Sequence, residues 1–214
     1  MKVIEKYKNE IENATKEGRK IIACMCNNEV KSLNYEVNEI DKIELLDTSS
    51  KDGHRIYIRG ILYIMAKALH EVYPEALLSV NYQLSSAMFC KIDNMEITDE
   101  MIANVKARMQ EIINQNLEIK KVVMTKEEAE EFYSNEKTLR GIVQIDNTQK
   151  DGVSLYYCEN YFNYFFGVIS LFPPIYGWRT SGIFTDPSAW RLFSRNAINI
   201  LGGATTVLFN VCAK

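Results

Sequence analysis

The chain has 214 residues, of which 47% are hydrophobic, 25% charged and 11% aromatic, with a formal net charge of −3 at pH 7. This length suffices for one large or two small cores, and the acidic balance removes any global electrostatic case for binding nucleic acid. No run of about 18 apolar residues exists to span a bilayer. The charged opening MKVIEKYKNEIENATKEGRK lacks the apolar segment of a secretory signal. A cytoplasmic address with no membrane partner is therefore expected.

In chain order, residues 2 to 17 favour a helix, with Val3, Ile4, Tyr7, Ile11 and Ala14 near 3.6-residue spacing. KIIACMCNNEVKSLNYEV then reads as two strands around Asn27 and Asn28, residue types that tolerate left-handed backbone. KIELLDTSSKDG follows as a short strand and a polar turn, and His54 falls in that turn beside Arg55 and Arg59, where an anion contact is open. Helix, hairpin and short strand together suit a small β-grasp module.

From Arg59 the period becomes helical, with Leu62, Met65, Ala66, Leu69 and Tyr73 in one stripe and Pro74 stopping the helix from outside. ALLSVNYQ and SAMFCKIDN look like paired strands. A second helix starts at Thr98, an N-cap followed by two acids that suit a helix N-terminus, and Ile102, Val105, Met109 and Ile112 form its buried face. A third begins at Thr125 with a capping box to Glu128. The acidic run KEEAEEFY is the charged start of that helix rather than a pair of catalytic carboxylates. SLYYCENYFNYFFGVIS reads as buried strand and loop.

Residues 171–214 differ in kind. They hold both tryptophans, three of the four prolines and one acid, Asp186, against Arg179, Arg191, Arg195 and Lys214, so their charge is +3 and −6 remains for residues 1–170. Such a shift marks a domain boundary or a tail foreign to the preceding fold.

Chemistry-bearing patterns are scarce. Five cysteines without a secretory signal argue against a disulfide framework, and Cys24 and Cys26 alternate onto one strand face as small buried hydrophobes. Only His54 and His70 are available as imidazoles, and His70 reads as a helix-boundary residue. Neither G-x-x-x-x-G-K-[ST] nor G-x-G-x-x-G occurs, so nucleotide phosphates have no loop to cradle them, and Gly202-Gly203 reads as a turn. G-x-S-x-G is absent too. No catalytic, cofactor or metal residue is assigned.

The order of the segments carries one resemblance. NNEVKSLNYEV, IELLD, DGHRIYIRGILYIMAKALHEVYPEA, ITDEMIANVKARMQEIINQNLEIKKVVMTKEEAEEFY and LYYCENYFNYFFG together resemble the N-terminal region of threonyl-tRNA synthetases. They resemble more closely the version of that region fused to bacterial uridine-kinase-type nucleoside kinases. The resemblance covers roughly residues 20–168. It implies an α+β chain: residues 1–50 a TGS-like β-grasp module whose first hairpin is missing, residues 51–170 an editing-type domain of the threonyl/alanyl-tRNA synthetase kind, and residues 171–214 a divergent or truncated tail. An open sheet edge is expected where the hairpin is missing.

In the synthetases the resemblance implies H-x-x-x-H on the helix before Pro-Glu-Ala and C-x-x-x-H in a late loop. The matching positions here are Tyr63, Lys67, Phe165 and Ile169. None of these can replace a Cys or His ligand, so hydrolysis of mischarged tRNA by that mechanism is not expected. The kinase-fused version implies an accessory N-terminal part, without enzymatic activity of its own, of a kinase phosphorylating uridine or a related nucleoside. ATP and magnesium would then belong only to a C-terminally fused kinase domain. The alternative is a small-molecule binding or assembly module in which Tyr63, Lys67, Phe165 and Ile169 line a degenerate pocket for a nucleoside or small anion. For Lys67 the simpler expectation is a surface lysine laid beside an apolar stripe.

Overall fold

A computed structural model describes residues 1–84, 87–134, 152–165, 167–170 and 206–210. It is α+β, with five helices and nine strands named among those residues and three small antiparallel sheets of three strands each. Two compact units are present: Met1–Lys67 with Glu111–Tyr176, and Ala68–Gln110 with Gly177–Lys214. Among the described residues no helix is long and apolar enough to cross a membrane.

The first unit opens with α1 (Val3–Lys6) and α2 (Lys8–Lys16), so the expected single helix is broken at Tyr7, whose φ of −107° and ψ of 26° leave the helical region. The apolar spacing survives the break: Val3, Ala14, Ile21, Cys24, Leu33 and Val37 form a core on which Ile4, Tyr7, Ile11, Ile43 and Leu45 pack. β1 (Ile21–Cys26), β2 (Glu29–Lys31) and β3 (Ile43–Asp47) form its sheet in the order β2-β1-β3. Asn27 and Asn28 both have positive φ, 48° and 66°, which matches the twist that a two-residue hairpin turn requires. Asn27 is fixed further by donating to Asp41 at 2.8 Å and accepting from the Lys42 amide at 3.1 Å.

α3 runs from Lys51 to Val72, starting eight residues before the expected Arg59. Ser50 caps it, accepting the Gly53 amide on its hydroxyl at 3.1 Å and the His54 amide on its carbonyl at 2.8 Å. The dipeptide Asp52-Gly53, which reads as a turn, serves another purpose: a Cβ at residue 53 would stand 1.8 Å from the Asp47 carbonyl oxygen. Glycine is there so that the first helical turn can lie against the end of β3. His54 is accordingly a helix residue and not a turn residue. The expected stripe is also too narrow, since every residue from Ile56 to Leu69 except Arg59 is buried. A helix buried on all sides is a core helix, not a surface one.

The first unit also holds β6 (Lys120–Met124), α5 (Lys126–Ser134), β7 (Val153–Cys158) and β8 (Tyr161–Tyr164), with sheet order β6-β7-β8. α5 has the expected capping box: Thr125 Oγ1 accepts from the Glu128 amide at 3.2 Å, and Glu128 accepts from the Thr125 amide at 2.8 Å. Ala129, Tyr133, Val153, Leu155 and Phe162 form the core between α5 and the sheet.

The second unit contains the antiparallel pair β4 (Leu77–Leu84) and β5 (Ala87–Asp93), as the sequence indicates, and β9 (Thr206–Asn210) pairs with β5 on its other side. α4 (Asp99–Gln115), whose residues from Glu111 on belong to the first unit, begins after Thr98, whose hydroxyl accepts the Met101 amide at 3.2 Å. Met101, Val105, Met109 and Ile112 are buried along it, with Ile102 only partly so. The Gly202-Gly203 turn and the rest of residues 171–214 except 206–210 lie outside the described residues.

Candidate functional site

The four positions singled out by the resemblance fall on α3 and on the irregular segment that follows the β7–β8 hairpin, both in the first unit. Tyr63 and Lys67 are four residues apart, one helical turn, and therefore share a face of α3. That face is turned to the hairpin. The Tyr63 hydroxyl lies 3.1 Å from the Tyr156 carbonyl and 3.2 Å from the Tyr161 carbonyl, donating its one proton between them. Its ring meets Tyr161 edge-on, with centroids 5.5 Å apart, and Phe165 in the same manner at 5.8 Å. Such T-shaped contacts place a positive ring edge on a negative face.

Lys67 is fully buried, which corrects the expectation of a surface side chain. Its ammonium donates to the Cys158 carbonyl at 3.3 Å and pairs with the Glu159 carboxylate at 3.0 Å. A cation withdrawn from water needs both an opposite charge and hydrogen-bond acceptors. The hairpin turn provides both.

That turn is itself unusual. Cys158 pairs with Tyr161, leaving Glu159 and Asn160 as a two-residue loop, and Glu159 has a φ of 55° while Asn160 is not among the residues of positive φ. Glycine is the usual choice for a first turn residue of that kind, because a Cβ is crowded there. A glutamate holds the position, and its carboxylate is the counter-charge to Lys67.

Phe165 and Ile169 sit beyond β8. Phe165 is half-buried against Tyr63, and Ile169 is 2% exposed. The main chain between them is fastened by Tyr156, whose hydroxyl donates to the Gly167 carbonyl at 2.5 Å. Burial pushes the Tyr156 phenol up to about 12, so it remains a neutral donor. Arg59, also on α3, donates to the Val168 carbonyl at 3.4 Å. Gly167 has a φ of 89°, a backbone conformation that favours glycine, and it lies close against the Arg59 guanidinium.

The structure thus joins Tyr63 to Phe165 by direct ring contact, ties Lys67 to the turn of the same hairpin, and buries Ile169 two residues beyond the Gly167 carbonyl that Tyr156 holds. The arginines once grouped with His54 have other partners: Arg55 pairs with Asp52 at 3.4 Å, and Arg59 faces the loop. Among the described residues no group of three or more His, Cys, Asp or Glu side chains could hold a metal ion. At the two helix positions the chain presents a hydroxyl proton and an ammonium, both of which donate rather than ligate.

Pattern reading missed Glu159, Tyr156 and Tyr161, and it set Arg59 beside His54 rather than against the loop. One signal was available: Glu159 is the only acidic residue between Val153 and Ser170, and the dipeptide Glu-Asn interrupts two aromatic runs. Tyr156 and Arg59 gave none, because their partners are main-chain atoms that the sequence does not distinguish.

No protein-family model matches the chain. Curated proteins do. The threonine–tRNA ligase of Clostridium kluyveri is 24% identical over 145 residues, covering 67% of this chain and 23% of the ligase. The probable cytoplasmic threonine–tRNA ligase of Enterocytozoon bieneusi is 29% identical over 146 residues, 68% of this chain and 23% of its own length. The ligase of Thermobifida fusca is 28% identical over 130 residues, 60% of this chain and 20% of the ligase. The chain thus spans under a quarter of the length of these relatives, and the matched part is a threonyl-tRNA-synthetase-like region.

Proposed function

We propose that this chain is a non-hydrolytic accessory module, a synthetase editing-type scaffold whose reactive face has become a closed structural joint. The observation that carries the reading is the buried ammonium of Lys67, engaged by Glu159 and the Cys158 carbonyl. Hydrolysis needs a cleft open to substrate and water, with groups that bind metal or relay a proton. Here the helix face that would supply them is packed against the hairpin and its donors are engaged by main-chain oxygens and the Glu159 carboxylate.

In its fuller form the proposal makes the chain the N-terminal part of a kinase that phosphorylates uridine or a related nucleoside. Its support is the ordered resemblance together with the replacement of all four ligand-bearing positions by Tyr63, Lys67, Phe165 and Ile169. ATP and magnesium would serve a kinase domain following in the same polypeptide, in the cytoplasm, and this chain would act on assembly or regulation without membrane or nucleic-acid contacts. A small-molecule pocket using Lys67 as its cation draws less support, since a buried ammonium already facing a carboxylate has little to offer a second anion.

Two measurements test the proposal. The purified chain is expected to leave mischarged tRNA intact and to carry no stoichiometric zinc; turnover above buffer, or one zinc per chain, would sink the non-hydrolytic reading. In the coding sequence beyond Lys214, an in-frame G-x-x-x-x-G-K-[ST] loop after a strand is expected, and any other continuation removes the kinase form.

A further inference from the structure

Four oxygen-bearing groups of the β7–β8 hairpin face α3: the carbonyls of Tyr156, Cys158 and Tyr161 and the carboxylate of Glu159. Oxygens gathered at one end of a hairpin, with one negative charge among them, are the ingredients of a cation site. We infer that this end of the hairpin is a cation site in its own right, that the chain's own Lys67 occupies it as a tethered cation, and that it selects a primary ammonium over a divalent metal ion. The inference rests on the reading of the face as closed to catalysis and deepens it by naming what closes it.

The selectivity follows from the donor count. A divalent hard cation wants six or more oxygens and usually several carboxylates. Among the described groups that face Lys67 and Tyr63 there is one carboxylate, 45% exposed, and two of the three carbonyls already accept from the Tyr63 hydroxyl. An ammonium instead needs a few acceptors at hydrogen-bond distance and one nearby negative charge. Cys158 at 3.3 Å and Glu159 at 3.0 Å meet that need. Soft coordination by Cys158 is not required, since its carbonyl is the group that faces the cation.

Chemical rescue tests this directly on the 214-residue chain. Lys67→Ala removes three methylenes and the ammonium, which together have the shape of n-propylammonium. The variant should melt roughly 5–10 °C below the parent. Titrated n-propylammonium should restore most of that loss in a saturable manner, while n-propanol, tetramethylammonium and zinc at matched ionic strength should not. Lys67→Met, whose unbranched side chain fills the same space, should show no response to n-propylammonium.

Equal effects of n-propylammonium and n-propanol on the alanine variant would overturn the inference, as would no effect of either. An alanine variant that stays unfolded with n-propylammonium present overturns it equally, and one that folds only with it supports it. These outcomes are separate from those of the functional proposal: hydrolysis or bound zinc in the parent chain would sink that reading without touching the rescue, and failed rescue leaves it standing.

Discussion

The Lys67 ammonium and the Glu159 carboxylate meet at 3.0 Å with unequal access to water, the lysine side chain 1% exposed and the glutamate 45%. The asymmetry decides how the pair responds to mutation. Removing the lysine leaves a carboxylate that water can solvate, whereas neutralising the glutamate takes a counter-charge away from a buried ammonium. Glu159→Gln should therefore destabilise by about 1–2 kcal/mol. Lys67→Met should cost less than Lys67→Ala, because it introduces neither charge nor cavity. Urea midpoints at constant slope measure both comparisons.

Glu159 also supports a prediction whose sign depends on its partner. Its φ of 55° is strained for any residue with a Cβ, at about 1 kcal/mol. In the parent chain, Glu159→Gly relieves that strain but removes the counter-charge, and should be destabilising. In a Lys67→Met background only the relief remains, so the same substitution should be stabilising. A double-mutant cycle reads the reversal, and destabilisation in both backgrounds would refute it.

Gly53→Ala should be among the most damaging single-methyl additions. The added carbon would meet the Asp47 carbonyl carbon and oxygen, which are backbone atoms, and Ser50 Oγ, which caps α3. A loss of about 3 kcal/mol is expected, with the start of α3 displaced. Thermal unfolding followed by circular dichroism gives the magnitude. A change within 0.5 kcal/mol would mean the close approach is not maintained in solution, since only substitutions away from such features fall within about that range.

Stability should fall in alkali for a reason located in three neutral acids. Burial pushes the Cys24 thiol up to about 11 and the Cys90 thiol up to about 12, from an ordinary 9.0, and the Tyr156 phenol up to about 12 from 10.0. Between the unfolded and folded values the native state retains protons that the unfolded chain has lost, so stability declines as pH rises. The stabilising contribution is complete below pH 9 and is lost from pH 9 to about 11 or 12. Melting temperatures from pH 8 upward should turn downward near 9, and Cys90→Ala should make that descent shallower.

Much of the fold was legible because its signals are local. Asn27-Asn28, the Thr125–Glu128 capping box and the Thr98 cap each involve residues within four positions of one another, and all three appear where the sequence puts them. The start of α3 was misread because Gly53 answers to the Asp47 main chain and not to its own turn propensity. β6 was missed because its pattern, with Val122 and Val123 both exposed, alternates with neither period. At the candidate site, sequence order led to Tyr63, Lys67, Phe165 and Ile169, but it could not show that Lys67 is buried. That depends on Glu159, which lies 92 residues away in the chain although their side chains pair directly.

The grip of Tyr156 on the chain beyond β8 makes one amide a natural reporter. Ile169 lies outside any strand or helix, yet it is buried two residues beyond the Gly167 carbonyl to which the Tyr156 phenol donates. Solvent deuterium should therefore enter at Ile169 far more slowly than at other irregular positions, at a pace set by opening of the hairpin. Tyr156→Phe should release that protection while leaving the helices to exchange as before.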